Sequence, residues 1–186
     1  MAINVNYPQI GVCGLSCRLC PRYHALGQSR CDGCKTESRM SVGCAFITCA
    51  VKKRGIEFCW DCGDSEICER WKKHRQFGKQ HDSFKCYQKL EEDIAFIRQN
   101  GVEQFEESQK TREKLLIEML TGFNEGRSKS YYCLAATILE ITELKNALAE
   151  AKSRSGGLGL AEKSKTMHSV LDRIAKERNY NVKLRE

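Results

Sequence analysis

The stretch Cys13-Gly14-Leu15-Ser16-Cys17-Arg18-Leu19-Cys20-Pro21 opens the segment that decides how this chain folds. Ten of the twelve cysteines fall within it and the sequence that follows: Cys13, Cys17, Cys20, Cys31, Cys34, Cys44, Cys49, Cys59, Cys62 and Cys68. Three C-x-x-C pairs stand out, at Cys17–Cys20, Cys31–Cys34 and Cys59–Cys62. Two thiolates at that spacing chelate one ion, and ligands for structural zinc arrive as such pairs separated by a loop. A segment built this way takes its folding energy from metal rather than from a large apolar core.

Two quartets follow from the spacing. Cys17-x2-Cys20-x10-Cys31-x2-Cys34 supplies one, and Cys44-x4-Cys49-x9-Cys59-x2-Cys62 the other, which predicts two Zn2+ per chain. Cys13 and Cys68 are left over and can replace any member of either set, or join a cluster with bridging thiolates. Glycines at 14, 33, 43 and 63 flank the ligands, where turns aim backbone amides at sulfur.

An iron–sulfur centre is the alternative. Cys13-x3-Cys17-x2-Cys20 has the spacing with which radical enzymes hold three irons of a cluster. Those enzymes continue into a strand–helix repeat, and none is legible here. A thioredoxin-like role for the Cys59–Cys62 pair lacks its βαβ setting. Disulfides need an oxidising compartment. The start of the chain carries neither a basic leader nor an apolar h-region, so a reducing, cytoplasmic location is expected. Charge-free apolar stretches such as Cys44 to Val51 fall far short of the roughly 20 residues of a membrane span.

His24 lies four residues after Cys20 but reads as a neighbour of the ligands rather than one of them. Ala45 to Arg54 is a predicted helix with a basic last turn and Gly55 as its cap. Asp64 to Phe77 is another, started by Asp64-Ser65-Glu66, with Ile67 and Trp71 one turn apart. The run Trp71-Lys72-Lys73-His74-Arg75 is basic with an interleaved aromatic, the composition of a nucleic-acid contact. A solvated helix face with Trp71 in the core accounts for it better.

From Cys86 the apolar period becomes that of a helix. Tyr87, Leu90, Ile94 and Ile97 make a first stripe, closed by Asn100-Gly101. Val102, Phe105, Leu116, Met119 and Leu120 mark a second helix, ended by Gly122. Leu134, Ile138 and Ile141 mark a third, and Thr142 caps a fourth that carries Leu144, Leu148 and Ala151. Ser155 to Gly159 reads as a flexible connector, and Met167, Val170, Leu171 and Ile174 as a fifth helix. The expected architecture is mostly α: an irregular cysteine-rich metal-binding segment with short helices over 1–86, then a small helical bundle over 87–186, the two able to pack as one unit. Cys86 is left undecided as a ligand, and Cys133 reads as a small buried hydrophobe.

Between the second and third helices lies Asn124-Glu125-Gly126-Arg127-Ser128-Lys129-Ser130. Helix N-termini bind anions through free amides, so Arg127, Lys129 and Ser130 are candidate contacts for a phosphate or carboxylate. The competing reading is an N-cap at Ser128 or Ser130 with Tyr131 and Tyr132 packing inward.

The cysteine motifs, from Cys13-Gly14-Leu15-x-Cys17-x2-Cys20-Pro21 through Cys31-x-Gly33-Cys34, Cys44, Cys49-Ala50, Phe58-Cys59-x2-Cys62 and Cys68, resemble a cysteine-rich bacterial and archaeal family, the domain of unknown function 3795. The resemblance covers roughly residues 10–105, with a looser likeness around Gly126-Arg127-Ser128. It departs at Ile67, where the family has proline. It implies metal binding, with zinc as the metal, and supplies no activity.

Thirty-one Lys plus Arg against twenty-four Asp plus Glu leave a net charge of +7, with cysteines counted as neutral. A zinc held by four thiolates carries −2, so two such sites offset much of that basicity locally. This leaves nucleic acid a possible but disfavoured partner, behind an unidentified protein or a small anionic ligand. No paired carboxylates, nucleophile–base pair or open metal site is legible, so the sequence favours a binding or regulatory module over an enzyme.

Overall fold

The computed structural model describes residues 5–36 and 43–186. Its front segment is held by tight turns rather than by sheet. Ile10 and Ser16 form an isolated antiparallel bridge, closed by Gly11 N–H donating to the Leu15 carbonyl at 2.8 Å. Single helical turns follow at Cys17–Leu19 and Gly27–Ser29. Ala45–Ile47 starts a short helix that widens into a π-helical turn at Thr48–Lys53, with Lys52 and Lys53 in its last turn and Gly55 at φ 67°. The expected helix, basic end and glycine cap are all there.

The helix called α1 here spans Glu69–Gln80. It begins later than its sequence suggests, because Trp71 is buried while Ile67 is 73% exposed, so the apolar stripe starts at Trp71. Asp64 does not cap it. That residue ion-pairs with Arg54 at 2.6 Å, and Cys68 takes the N-cap position.

Five further helices complete the chain: α2 (Leu90–Asn100), α3 (Val102–Phe123), α4 (Lys129–Ile138), α5 (Ile141–Arg154) and α6 (Leu160–Glu177). The α2–α3 boundary is Gly101, whose φ of 88° lets two helices meet without a loop. Ile141 belongs to α5 rather than to α4, and Thr142 is not the cap. Leu139 leaves the helix in an extended conformation, and Glu140 and Glu143 form a reciprocal capping box, with the Glu140 N–H donating to Glu143 Oε2 at 2.9 Å.

The main core lies among α3, α4, α5 and α6. Leu116, Met119, Tyr132, Leu144, Met167 and Leu171 are all fully buried there. Leu19 of the front segment joins the same core. Helix α2 forms the seam: Leu90 and Ile94 pack with Leu15 and Trp71, while Ile97, with Phe105 of α3, packs with Ile10 and Phe58. Arg18 reinforces it, donating to Glu113 at 2.7 Å and to Glu106 at 3.2 Å on α3. Among the described residues no helix is long and apolar enough to cross a membrane.

Candidate thiol site and the cavity beside it

The front turns bring the cysteines into two neighbouring groups. Cys17, Cys20, Cys31 and Cys34 line one small depression together with Tyr23, Phe84 and Lys85. Within it the Cys34 backbone N–H donates to Cys17 Sγ at 3.2 Å, and Lys85 Nζ donates to Cys34 Sγ at 3.5 Å. The turn that presents Cys34 depends on Gly33, at φ 125°, where a Cβ would stand 2.7 Å from the Pro8 carbonyl oxygen. The hydrogen bond with Cys34, and then burial, raise the Cys17 thiol well above its ordinary range.

The second group surrounds Cys59. Cys13, Cys59 and Cys68 pack on the Leu15–Trp71 cluster, and Cys44 and Cys34 pack with Cys59 on the cluster of Val12, Ile47 and Val51. Burial pushes the Cys59 thiol up to about 12, helped by the charges of Cys13, Cys68, Cys49 and Cys62. Arg54 Nη1 donates to Cys62 Sγ at 3.1 Å. Gly14 makes the approach of the first loop possible: at φ 93°, a Cβ there would sit 3.2 Å from both Trp60 and Ile94.

The described residues include all twelve cysteines, and none of these is in a disulfide. Among the described residues, no group of three or more Cys, His, Asp or Glu side chains converges closely enough to hold an ion. The thiols are gathered by sector, without a closed shell of four. Their chemistry fits zinc: each group offers at least four thiols, and each has a cation against it, Lys85 in one and Arg54 in the other.

Cys133 is buried in the bundle core, and Cys86 packs against the edge of that core, with burial raising both thiols to about 12. His24 Nε2 hydrogen-bonds to the Arg18 carbonyl.

The basic run on α1 is largely engaged within the fold. Trp71 is buried, His74 stacks on Trp71 and packs against Phe46 and Tyr87, and Arg75 grips Glu91 through Nε at 2.8 Å and Nη2 at 2.5 Å. Lys72 and Lys73 are exposed.

At the start of α4, Arg127 is exposed, Lys129 is half-buried and Ser130 lines a cavity. The chain supplies its own anion at this turn. Glu125 Oε2 accepts from Ser128 Oγ at 2.7 Å and from Ser164 Oγ at 2.5 Å, and these bonds hold its carboxyl down at about 2. Ser128 Oγ also lies 2.7 Å from His168 Nε2. This contact ties the α3–α4 turn to α6.

A larger cavity, about 490 Å³, lies where the Cys17–Leu19 turn meets α2, α3 and α4. Asp93, Gln109 and Arg112 face into it. A sequence signal for these residues exists. Asp93 keeps register with Leu90 and Ile97, and Gln109 and Arg112 with Phe105 and Leu116, so polar residues stand on apolar stripes.

Residues 9–73 match the family described as "Protein of unknown function (DUF3795)". That span is about a third of the chain and contains all ten clustered cysteines; it ends inside α1, short of the reach the sequence motifs suggest. Neither the curated proteins nor the solved structures contain a match to this chain.

Proposed function

We propose that the cysteine-rich segment binds two zinc ions that are structural, and that the chain serves as a binding or regulatory module. The observation that carries this reading is the meeting of Cys17 with Cys34 across a loop, inside a depression that Cys20 and Cys31 also line. Cys17, Cys20, Cys31 and Cys34 would hold one ion. Cys44, Cys49, Cys59 and Cys62 would hold the other, with Cys13 and Cys68 beside them as substitutes or bridging ligands. A four-thiolate zinc leaves no open position for substrate, so the metal supplies folding energy and rigidity rather than turnover.

The cations fit this assignment. Four thiolates around zinc carry net negative charge, and Lys85 and Arg54 already point at sulfur. Outward basicity is correspondingly weak support for nucleic acid.

Metal analysis combined with a visible spectrum tests the reading. Protein purified in air is expected to be colourless with about two zinc per chain. A brown preparation absorbing near ~400 nm, with iron and labile sulfide, would replace zinc by a cluster on Cys13, Cys17 and Cys20.

A further inference from the structure

The cavity between the front segment and the bundle has polar groups whose hydrogen-bonding capacity is unspent. Gln109 is only 4% exposed and lines the cavity from α3, and its amide has no hydrogen-bond partner among the described residues. Asp93 lines it from α2, and its carboxylate likewise has no hydrogen bond or ion pair among the described residues. Ser16 adds a third: its Oγ is buried and without a partner. Leaving a buried group such as the Ser16 hydroxyl bare costs about 1–3 kcal/mol, which a fold tolerates where a ligand or water completes it.

The cations of the same wall are already committed. Arg112 Nη1 donates to the Ala136 carbonyl at 2.9 Å and also to the Leu139 carbonyl, and its Nη2 reaches Glu140 at 3.5 Å. Lys89 pairs with Glu92 at 2.6 Å and with Glu140 at 3.8 Å. Lys85 is turned toward Cys34. Arg22 stays at the rim, over the Phe84 ring at 5.3 Å. What the interior offers a guest is therefore a carboxylate and a primary amide, set against the apolar side chains of Leu15, Leu90, Phe105 and Leu134. At about 490 Å³ the space falls within the range of small-molecule sites, roughly 300–1,000 Å³.

We propose that this cavity binds a small organic amine or amidine, with its N–H groups donating to Asp93 and Gln109 and its apolar body against Leu90 and Phe105. A carboxylate is matched by a group that presents adjacent N–H donors, and a charge-assisted bond of that kind is about twice as strong as a neutral one. The amide of Gln109 both gives and accepts, which fixes the orientation of a planar headgroup. The site makes no use of a metal at the thiols, so it stands or falls separately from the zinc reading.

Calorimetric titration of the full chain with benzamidine, and with benzoate as the isosteric anion, tests the assignment. Benzamidine is expected to bind saturably and benzoate not to bind. Asp93→Asn should weaken benzamidine at least about tenfold, the loss of one charge-assisted bond. Gln109→Leu should weaken it several-fold, and circular dichroism should show both variants folded. Equal affinity in wild type and Asp93→Asn, preference for benzoate, or no saturable binding of benzamidine to the wild type would each overturn the proposal.

Discussion

Asp82 and Arg185 lie 103 residues apart and close the fold on itself: Asp82 Oδ2 accepts from the Arg185 backbone N–H at 2.8 Å and from its Nε at 3.0 Å. The guanidinium also reaches the carbonyls of Lys79 and Gly78 at 2.7 and 2.8 Å, capping the C-terminal end of α1. The Tyr87 backbone N–H donates to the other oxygen of Asp82 at 2.6 Å. The Asp82 side chain is fully buried, so removing its partner strands a charge.

Arg185→Ala is therefore expected to lower stability by about 3 kcal/mol, measured by urea denaturation. Burial alone would raise the Asp82 carboxyl, but the bonds from Arg185 and Tyr87 outweigh it and hold it below the ordinary range. A depressed carboxyl contributes stability above its unfolded pKa of about 4 and loses it as pH falls through the folded value. The difference between wild type and Arg185→Ala should accordingly shrink below about pH 4. An unchanged difference at acid pH would remove Asp82 as its source.

Asp93 has the opposite sign. Burial pushes its carboxyl up to about 7; Arg112 and Lys89 lower it, and Glu92 and Glu140 raise it. A raised carboxyl penalises the folded state, with no penalty below the unfolded pKa of about 4 and the full penalty above about 7. Asp93→Asn should stabilise the protein at pH 8 by about 1–2 kcal/mol and leave it unchanged near pH 4. Thermal melts at the two pH values measure this. A carboxylate kept on a buried stripe at such a cost fits a residue retained for binding.

Gly33 and Gly14 carry the loops that present thiols. Gly33→Ala combines a φ of 125° with a Cβ 2.7 Å from a backbone oxygen, and neither can relax through a side chain. A loss of about 2–3 kcal/mol is expected, larger than for Gly14→Ala, whose Cβ meets side chains that can shift. Chemical denaturation of the two variants side by side gives the order.

If the thiols hold zinc as proposed, a strong chelator should unfold the front segment selectively. Among the described residues of that segment, the core among α3, α4, α5 and α6 takes Leu19 and, at its edge, Cys86, so most of the helical circular dichroism should survive. Protease sensitivity should rise within 9–73, and readdition of zinc should restore protection. Simultaneous loss of all helical signal would show that the two halves fold as one cooperative unit.

The helices were legible because their signal is local. Stripes such as Leu90, Ile94 and Ile97, and the stop at Gly101, state which face is buried without naming what covers it. Starts were less legible. Asp64 and Thr142 satisfy the composition of a cap, but a cap also requires the chain to turn there, and the burial of Trp71 and the Glu140–Glu143 pair put the turns elsewhere. The cysteine spacing shows which thiols are neighbours along the chain; it leaves the meeting of Cys17 with Cys34, and the gathering of Cys13, Cys59 and Cys68 around one apolar cluster, to the packing of loops.

Helix period and C-x-x-C spacing are properties of adjacent residues, and they are enough to specify a helical protein fronted by a cluster of ten thiols. It takes the packed fold to bind Glu125 into the turn before α4, to set Arg185 on Asp82, and to bring Asp93 and Gln109 to one cavity. Each of these depends on side chains that meet only after two elements pack, where the exclusion of water makes an unmatched polar group costly and a matched one strong. No window of sequence encodes that exclusion.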